Sequence, residues 1–424
     1  MARSFLEFDT ASPAIVTANE GRGIAAIDNA RAPVDTSAVR RHETQVDSDC
    51  VVVGASFGGL ASAHALASAG LRVTVVEKKA DPGAKLHTTG IIVKDAVDQI
   101  ALLDSLPAAL VRRIPGVRLY APSLKFVDLA APGYYFLATD TPNVMRWLAG
   151  TVERAGATLK LGTAFLGMQR QRSGFTLDGL GVARFVIGAD GPRSKVARSA
   201  GLGTNERFLA GVEYEFAGAA IEDADKLHCF IDKRIAPGYI AWVLAGVGVV
   251  QAGVARRAGG AAPTSWKPDD AMAAFLAKIA PVIDLTGARP SSVRAGLIPC
   301  GGVVHPVAAP RVLLVGDAAG MVSPVTAGGI HTALKHGLAA GNAVADFLHG
   351  RAEDPCAKFV RSYPKFRLKR LLRWGFDRFQ TDFVFNWLLA TRPMRAAAGL
   401  VYFHHKGVFD PGEEAVPLAS PQND

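Results

Sequence analysis

The stretch Asp49-Cys50-Val51-Val52-Val53-Gly54-Ala55-Ser56-Phe57-Gly58-Gly59-Leu60, read with Leu71-Arg72-Val73-Thr74-Val75-Val76-Glu77, decides the fold of this chain. Cys50–Val53 is an unbroken apolar and largely β-branched run, as expected of a parallel strand buried on both faces. A Gly-rich turn follows. Leu60 to Ala69 is small and helix-compatible, Gly70 stops that helix, and Val73–Val76 is a second buried strand ending on an acid. Each part has a task if a dinucleotide binds here. Gly54 permits the tight turn, and Gly59 lets the helix pack closely on the strand. The helix N-terminus offers unpaired N–H groups and partial positive charge to a pyrophosphate. Glu77 stands where a carboxylate accepts hydrogen bonds from an adenosine ribose. Ser56 fills the middle position of the G-x-G-x-x-G pattern, and its Cβ is expected to crowd the approach of a phosphate.

Outward from this unit, the loop Lys78 to Gly90 leaves the C-terminal side of the sheet, where ligands bind in such folds. A helix is expected from Lys94 to Leu106, strands over Arg118–Leu129 and Tyr134–Thr139, and a helix over Pro142–Ala155, where Val144, Trp147, Leu148 and Val152 recur at helical spacing. A second landmark, Arg184 to Ala197, reads as a buried strand, a Gly188-Ala189-Asp190-Gly191 turn and a helix from Ser194. Asp190 either closes an Asx-turn or accepts from a cofactor hydroxyl, and spacing does not decide between them. Arg207 to Leu297 mostly alternates, the mark of an antiparallel layer whose concave face would cover a ligand, with one helix near Pro268–Ile279. The third landmark runs from Arg311 to Ile330. A buried strand ends in Gly316-Asp317, where Asp317 can bond a ribityl hydroxyl. Gly328 and Gly329 then open a helix to Leu348, whose first N–H groups can stabilise an anionic isoalloxazine ring.

At 424 residues the chain suits two or three domains, and 49% apolar with 20% charged residues describes a globular protein. The net charge of +9 suits an anionic cofactor or an anionic membrane surface. No basic stripe with interleaved aromatics points to nucleic acid. Cys50, Cys229, Cys300 and Cys356 show neither a C-x-x-C pair nor metal-ligand spacing, so they read as reduced structural thiols of a cytoplasmic protein with no metal site. Residues 1–48 are punctuated by acids and small polar residues and read as an extension outside the core, not as a signal peptide. Ala236 to Ala255 is uncharged, yet its glycines and Pro237 favour a β-hairpin, Tyr239–Leu244 with Val249–Val254, over a membrane span.

The three landmarks resemble the FAD-binding fold of the p-hydroxybenzoate hydroxylase group. Within it, Gly316-Asp317-Ala318-Ala319-Gly320 with Ser323-Pro324-Val325-Thr326-Ala327-Gly328-Gly329-Ile330 is similar to the geranylgeranyl reductase family. So are Ile298-Pro299-Cys300-Gly301-Gly302 and Pro237-Gly238-Tyr239-Ile240-Ala241-Trp242-Val243, where that family keeps a Tyr and a Trp lining its substrate cavity. The resemblance spans roughly residues 49–350. It implies an α/β fold: a Rossmann-like FAD-binding domain from 49–203 and 297–350, an antiparallel β-sheet substrate domain over 204–296, and a helical C-terminal segment over 351–424. It implies FAD held by Gly54, Ser56, Gly58, Gly59, Glu77, Lys78, Asp190, Gly191, Gly316, Asp317, Pro324, Gly328, Gly329 and Ile330. NAD(P)H or another donor would supply electrons. The chain departs from that family where its loop after the ribose acid usually has Cys-Gly, because Lys85-Leu86-His87-Thr88-Thr89-Gly90 holds no cysteine. Leu244-Ala245 stands where Phe-Pro is common, and the Arg that often precedes the return helix is replaced near Thr141.

The activity so implied is reduction of C=C bonds in a prenyl chain or related hydrophobic lipid. His87 and Tyr239 are candidate proton donors and Trp242 a candidate cavity wall. A flavin monooxygenase or dehydrogenase on a hydrophobic small molecule, or a lipid-binding protein holding FAD structurally, stays open. Lys365 to Phe379 places Leu368, Leu371, Leu372 and Phe379 near one helix face beside Arg367, Arg370 and Arg373. That pattern suits peripheral docking on the inner face of a membrane. Nothing in the sequence sets an oligomeric state.

Overall fold

The computed structural model describes residues 46–258, 267–389 and 391–403, so nearly all of the 1–48 extension lies outside the described residues. Elements are numbered in chain order. β1 (Ser48–Val53) is the centre of the first sheet, paired in parallel with β2 (Val73–Val76) and with β11 (Gly181–Gly188). β8 (Thr158–Lys160) continues the sheet beyond β2, and β18 (Val312–Leu314) continues it beyond β11. β17 (Ala308–Ala309), β9 (Met168–Arg170) and β10 (Phe175–Leu177) add antiparallel pairings at its margin. Cys50, Val52 and Val75 face α1 (Phe57–Ser68), α3 (Thr141–Arg154) and α6 (Ile330–Leu348) in one core, while Val51, Val53 and Val186 fill a second core with α4 (Lys195–Ser199). Burial on both faces is what the unbroken apolar runs require.

A small antiparallel sheet joins β3 (Ile91–Val93), β7 (Phe136–Thr139) and β4 (Val111–Ile114). The helix expected over Lys94–Leu106 is shorter. α2 (Lys94–Gln99) ends where Ile100 turns extended to bury its side chain, and a 3-10 turn follows at Ala101–Leu103.

The second large sheet has the order β16 (Ser292–Pro299), β12 (Phe208–Ala217), β15 (Val249–Ala258), β14 (Ala241–Ala245), β13 (Lys226–Phe230), β5 (Gly116–Tyr120), β6 (Phe126–Ala130). It is antiparallel apart from β13 and β5, which run parallel. β14 and β15 pair around the Ala245–Val249 turn, so the uncharged stretch is a buried hairpin. One face of the sheet, with Val212, Phe216, Val243 and Val254, packs on Met272, Phe275 and Ile279 of α5 (Pro268–Ile279). The other face looks toward the loop after β2 and the opening of α6. The chain therefore visits the first sheet, the second at β5–β6, the first again, the second from β12 to β16, and returns to the first at β17–β18.

The C-terminal part is helical: α7 (Pro355–Lys358), α8 (Arg367–Phe379), α9 (Asp382–Leu388) and α10 (Arg392–Phe403). Phe385, Leu389 and Phe403 join the core beneath β5 and β6.

Candidate functional site

The Gly-rich turn after β1 leaves no room for side chains at two positions. Gly54 has φ +105°, and a Cβ there would lie 2.4 Å from the Ala189 carbonyl oxygen. A Cβ on Gly59 would lie 2.0 Å from the Gly54 carbonyl oxygen. Ser56 caps α1: its Oγ accepts from Gly59 N at 3.3 Å and donates to the Ala189 carbonyl at 3.0 Å. The residue that breaks the glycine pattern thus ties the first landmark turn to the second. The N–H groups of Phe57 and Gly58 are among those a helix start leaves without intrahelical partners. Glu77 is buried, accepting from Ala55 N at 2.9 Å and Lys79 N at 3.0 Å, which leaves acceptor capacity on both oxygens. Lys78 is exposed beside it.

Asp190 is occupied by the protein. It accepts from the Ser194 hydroxyl and Lys195 N, both at 2.6 Å, and from Val196 N at 3.2 Å, and so caps α4. Gly191 beside it has φ +83°. Asp317 differs. No donor among the described residues reaches its carboxylate, and burial alone lifts its carboxyl up to about 6. Its Oδ1 would be 3.6 Å from a Cβ on Gly329, the residue that opens α6 without any side-chain cap. Gly316 and Asp317 therefore stand against the start of α6, with Pro324 and Gly328 in the segment between and Ile330 as the first residue of the helix.

α6 and α1 lie side by side and parallel. A Cβ on Gly337 would be 2.5 Å from the Gly58 carbonyl oxygen, and one on Gly341 would be 2.5 Å from that of Ser62. Both helix N-termini consequently point to the same end of the sheet, the start of α6 reaching beyond that of α1, and both present partial positive charge toward that end.

The sheet face opposite α5 carries the second half of the site. Trp242, Gly253, Glu213 and Arg294 form one cross-strand row over β14, β15, β12 and β16. Gly253 is bare because the Trp242 indole lies over it: a Cβ there would be 2.2 Å from the ring. The indole Nε1 thereby donates to Glu213 Oε2 at 3.1 Å. Thr89 Oγ1 donates to the same oxygen at 2.5 Å. Arg294 donates to Glu215 and, at 3.0 Å, to the Thr88 carbonyl; Gln251 Nε2 reaches the Thr89 carbonyl and Glu215, each at 3.2 Å. Burial pushes Glu213 up to about 7, against the lowering pull of Thr89 and Arg294.

His87 is exposed, its Nδ1 lies 2.5 Å from the Ala295 carbonyl, and it sits over Gly296, where a Cβ would meet the His87 Cβ at 2.7 Å. Tyr239 is buried, donates to the Thr326 carbonyl at 2.6 Å and has its phenol held well above the usual range by burial. It packs with Leu209, Ala255 and Cys300 in an apolar cluster that Ile240, Trp242, Ile298 and Ala327 border. The structure thus brings Tyr239 and Trp242 to the covered face and sets His87 at its rim. Sequence reading missed Glu213, Arg294, Gln251 and Thr89. Their only signal was two acids alternating with apolar residues along β12.

Residues 47–369 match the family described as FAD binding domain. Digeranylgeranylglycerophospholipid reductase 1 of Methanopyrus kandleri is 30% identical over 339 residues, covering 75% of this chain and 85% of that protein. Reductase 2 of the same organism is 29% identical over 340 residues, covering 75% and 81%. The crystal structure of a geranylgeranyl bacteriochlorophyll reductase-like protein from Thermoplasma acidophilum has the same fold, with a TM-score of 0.71 at 20% identity over 84% of this chain and 97% of that one. The residues present fit FAD. Asp317 offers an acceptor that no donor among the described residues reaches, Glu77 keeps free lone pairs, and two helix N-termini point to the same end of the sheet.

Proposed function

We propose a function from one premise: this chain belongs to the FAD-binding domain family, and digeranylgeranylglycerophospholipid reductases are among its relatives. It is a flavoprotein oxidoreductase. The reaction we assign is reduction of C=C bonds in the prenyl chains of a lipid, with NAD(P)H or another reductant upstream. The observation that carries this reading is the apolar cluster of Leu209, Tyr239, Ala255 and Cys300, which bridges the second sheet and the Ala327 segment opening α6. A hydrophobic chain laid along the half-buried border of this cluster, Trp242, Ile298 and Ala327, would lie between the covered sheet face and the place we assign to a flavin beside Asp317 and α6.

When bound, reduced FAD supplies a hydride to one carbon of the double bond. The protein's residues do the rest. The N-termini of α1 and α6 favour anionic groups, Glu77 and Asp317 accept from sugar and ribityl hydroxyls, and Tyr239 holds the Thr326 carbonyl and with it the α6 opening. The apolar wall keeps water from the reacting carbons. An isolated alkene accepts hydride poorly, so an acid near this wall is required.

We assign the substrate side to a membrane surface. No helix among the described residues is long and apolar enough to cross a membrane. Leu371 and Trp374 on α8, at 61% and 63% exposure, and Phe383 and Trp387 on α9, at 74% and 73%, offer apolar and aromatic anchors beside exposed Arg367, Arg370 and Arg378. Arg373 does not belong to that set: it is buried and donates to the Pro324 and Gly238 carbonyls.

The test is anaerobic incubation of dithionite-reduced holoenzyme with a geranylgeranyl-bearing phospholipid in detergent, followed by mass spectrometry. Gains of two hydrogens per double bond are expected. A flavin that stays reduced with the lipid unchanged would sink the assignment.

A further inference from the structure

Two buried carboxylates face a single guanidinium on the covered face of the second sheet, and a proton must settle the imbalance. Glu213 is 4% exposed, Glu215 8% and Arg294 7%. Arg294 is committed to Glu215 and the Thr88 carbonyl, and Gln251 gives Glu215 a second donor. Glu213 has only a 3.6 Å approach of Arg294 to its Oε1, an oxygen that no donor among the described residues hydrogen-bonds. Its Oε2 takes both the Thr89 hydroxyl and the Trp242 N–H. A buried charged oxygen without a donor is costly. With Glu213 as a carboxylic acid the trio is neutral, and the proton belongs on Oε1 because Oε2 already accepts two hydrogen bonds.

We propose that Glu213 is the acid that supplies the proton for saturating the double bond, an inference that rests on the reaction assigned above. The π bond breaks as the hydride adds to one carbon. The Glu213 O–H breaks as its proton adds to the other, and Glu213 is left a carboxylate, to be reprotonated from water after the product leaves. The surroundings suit the charge that then appears: Thr89 from the loop and Trp242 from β14 already donate to Oε2, and Arg294 from β16 stands beside Oε1. Glu215 on β12 and the uncharged Gln251 on β15 complete the polar groups of the cluster, with His87 at its rim. Burial holds the Glu213 carboxyl up to about 7, so the acid form is populated near neutrality, as a general acid needs.

The experiment compares FAD-loaded wild type with Glu213→Gln and Glu213→Asp. Infrared spectra at pH 6 should show a protonated carboxylic acid band in the wild type that is missing from Glu213→Gln. In stopped-flow work, dithionite-reduced Glu213→Gln should be reoxidised by the geranylgeranyl phospholipid at least about 100-fold more slowly, with FAD content and lipid affinity retained and Glu213→Asp partly active. Reoxidation of Glu213→Gln within a few-fold of wild type, or no acid band in the wild type, overturns the proposal. A wild type inert toward the lipid overturns the assigned reaction itself, a separate failure read from a separate sample.

Discussion

Glu77 holds its own turn as well as any ribose. Because Ala55 N and Lys79 N both donate to it, Glu77→Ala removes two backbone anchors together with the ligand contact. FAD affinity should fall by about 1.5–3 kcal/mol, and the apoprotein should melt earlier; titration calorimetry and apo melting curves separate the two losses. Weakened FAD binding with an unaltered apo melt would show that the turn stands without the carboxylate. Glu213 makes a different prediction, on pH. Its folded pKa, near 7, lies above its ordinary 4.5, so the folded state binds the extra proton. Its contribution to stability is full below about 4.5 and is lost as pH rises through 7, amounting to about 3 kcal/mol. Glu213→Gln should therefore gain stability relative to wild type between pH 5 and pH 8 in urea titrations; a constant difference across that range would contradict the assignment of the buried proton. The two acids also differ in legibility. The position of Glu77 is legible because the strand–turn–helix–strand unit sets an acid directly after β2, where we assign it to a ribose. Glu213 was not, because an acid alternating with apolar residues reads as solvent-facing until the opposite face is known to be covered. Asp190 stood between two readings, and its hydrogen bonds to α4 are what the spacing could not show.

Among the elements, β15 shows how a missing side chain positions a present one. Gly253→Ala would drive a methyl into the Trp242 ring and push the indole off Glu213. Overpacking of this kind costs about 1–3 kcal/mol, and the Trp242 fluorescence should shift; an unchanged spectrum and melting temperature would mean the indole has room to move. α8 divides its residues by role. Arg373 is buried, pairs with Asp377 and holds two carbonyls, so Arg373→Ala should cost about 3–5 kcal/mol in chemical denaturation. Trp374→Ala, at an exposed position of the same helix, should leave the denaturation midpoint unchanged. The helical periodicity of residues 365–379 was legible, but which arginine turns inward was not. That choice is made by carbonyls of Gly238 and Pro324, far away in sequence. The recruitment of β5 and β6 to the second sheet was hidden for the same reason, since pairing with β13 leaves no local mark.

At the scale of the whole molecule, the basic and aromatic C-terminal helices define the proposed membrane face. Flotation with anionic liposomes should fall when Trp374, Phe383 and Trp387 are changed together to Ala, and should weaken with salt, as basic residues near an anionic surface contribute about 1 kcal/mol each. Binding indifferent to both would move the contact elsewhere. The interleaved path of the chain has a further consequence, for synthesis on the ribosome. The second sheet lacks its edge strand until residue 299 has been made, and the first lacks β18 until residue 314. α6, whose start we assign to the flavin site, comes later still. A nascent chain therefore cannot capture its cofactor partway. Long-range pairing of this kind is slow and exposes unpaired edges. Chains stalled before Ile330 should be colourless and protease-sensitive, and yellow colour on the ribosome would mark a chain translated past α6.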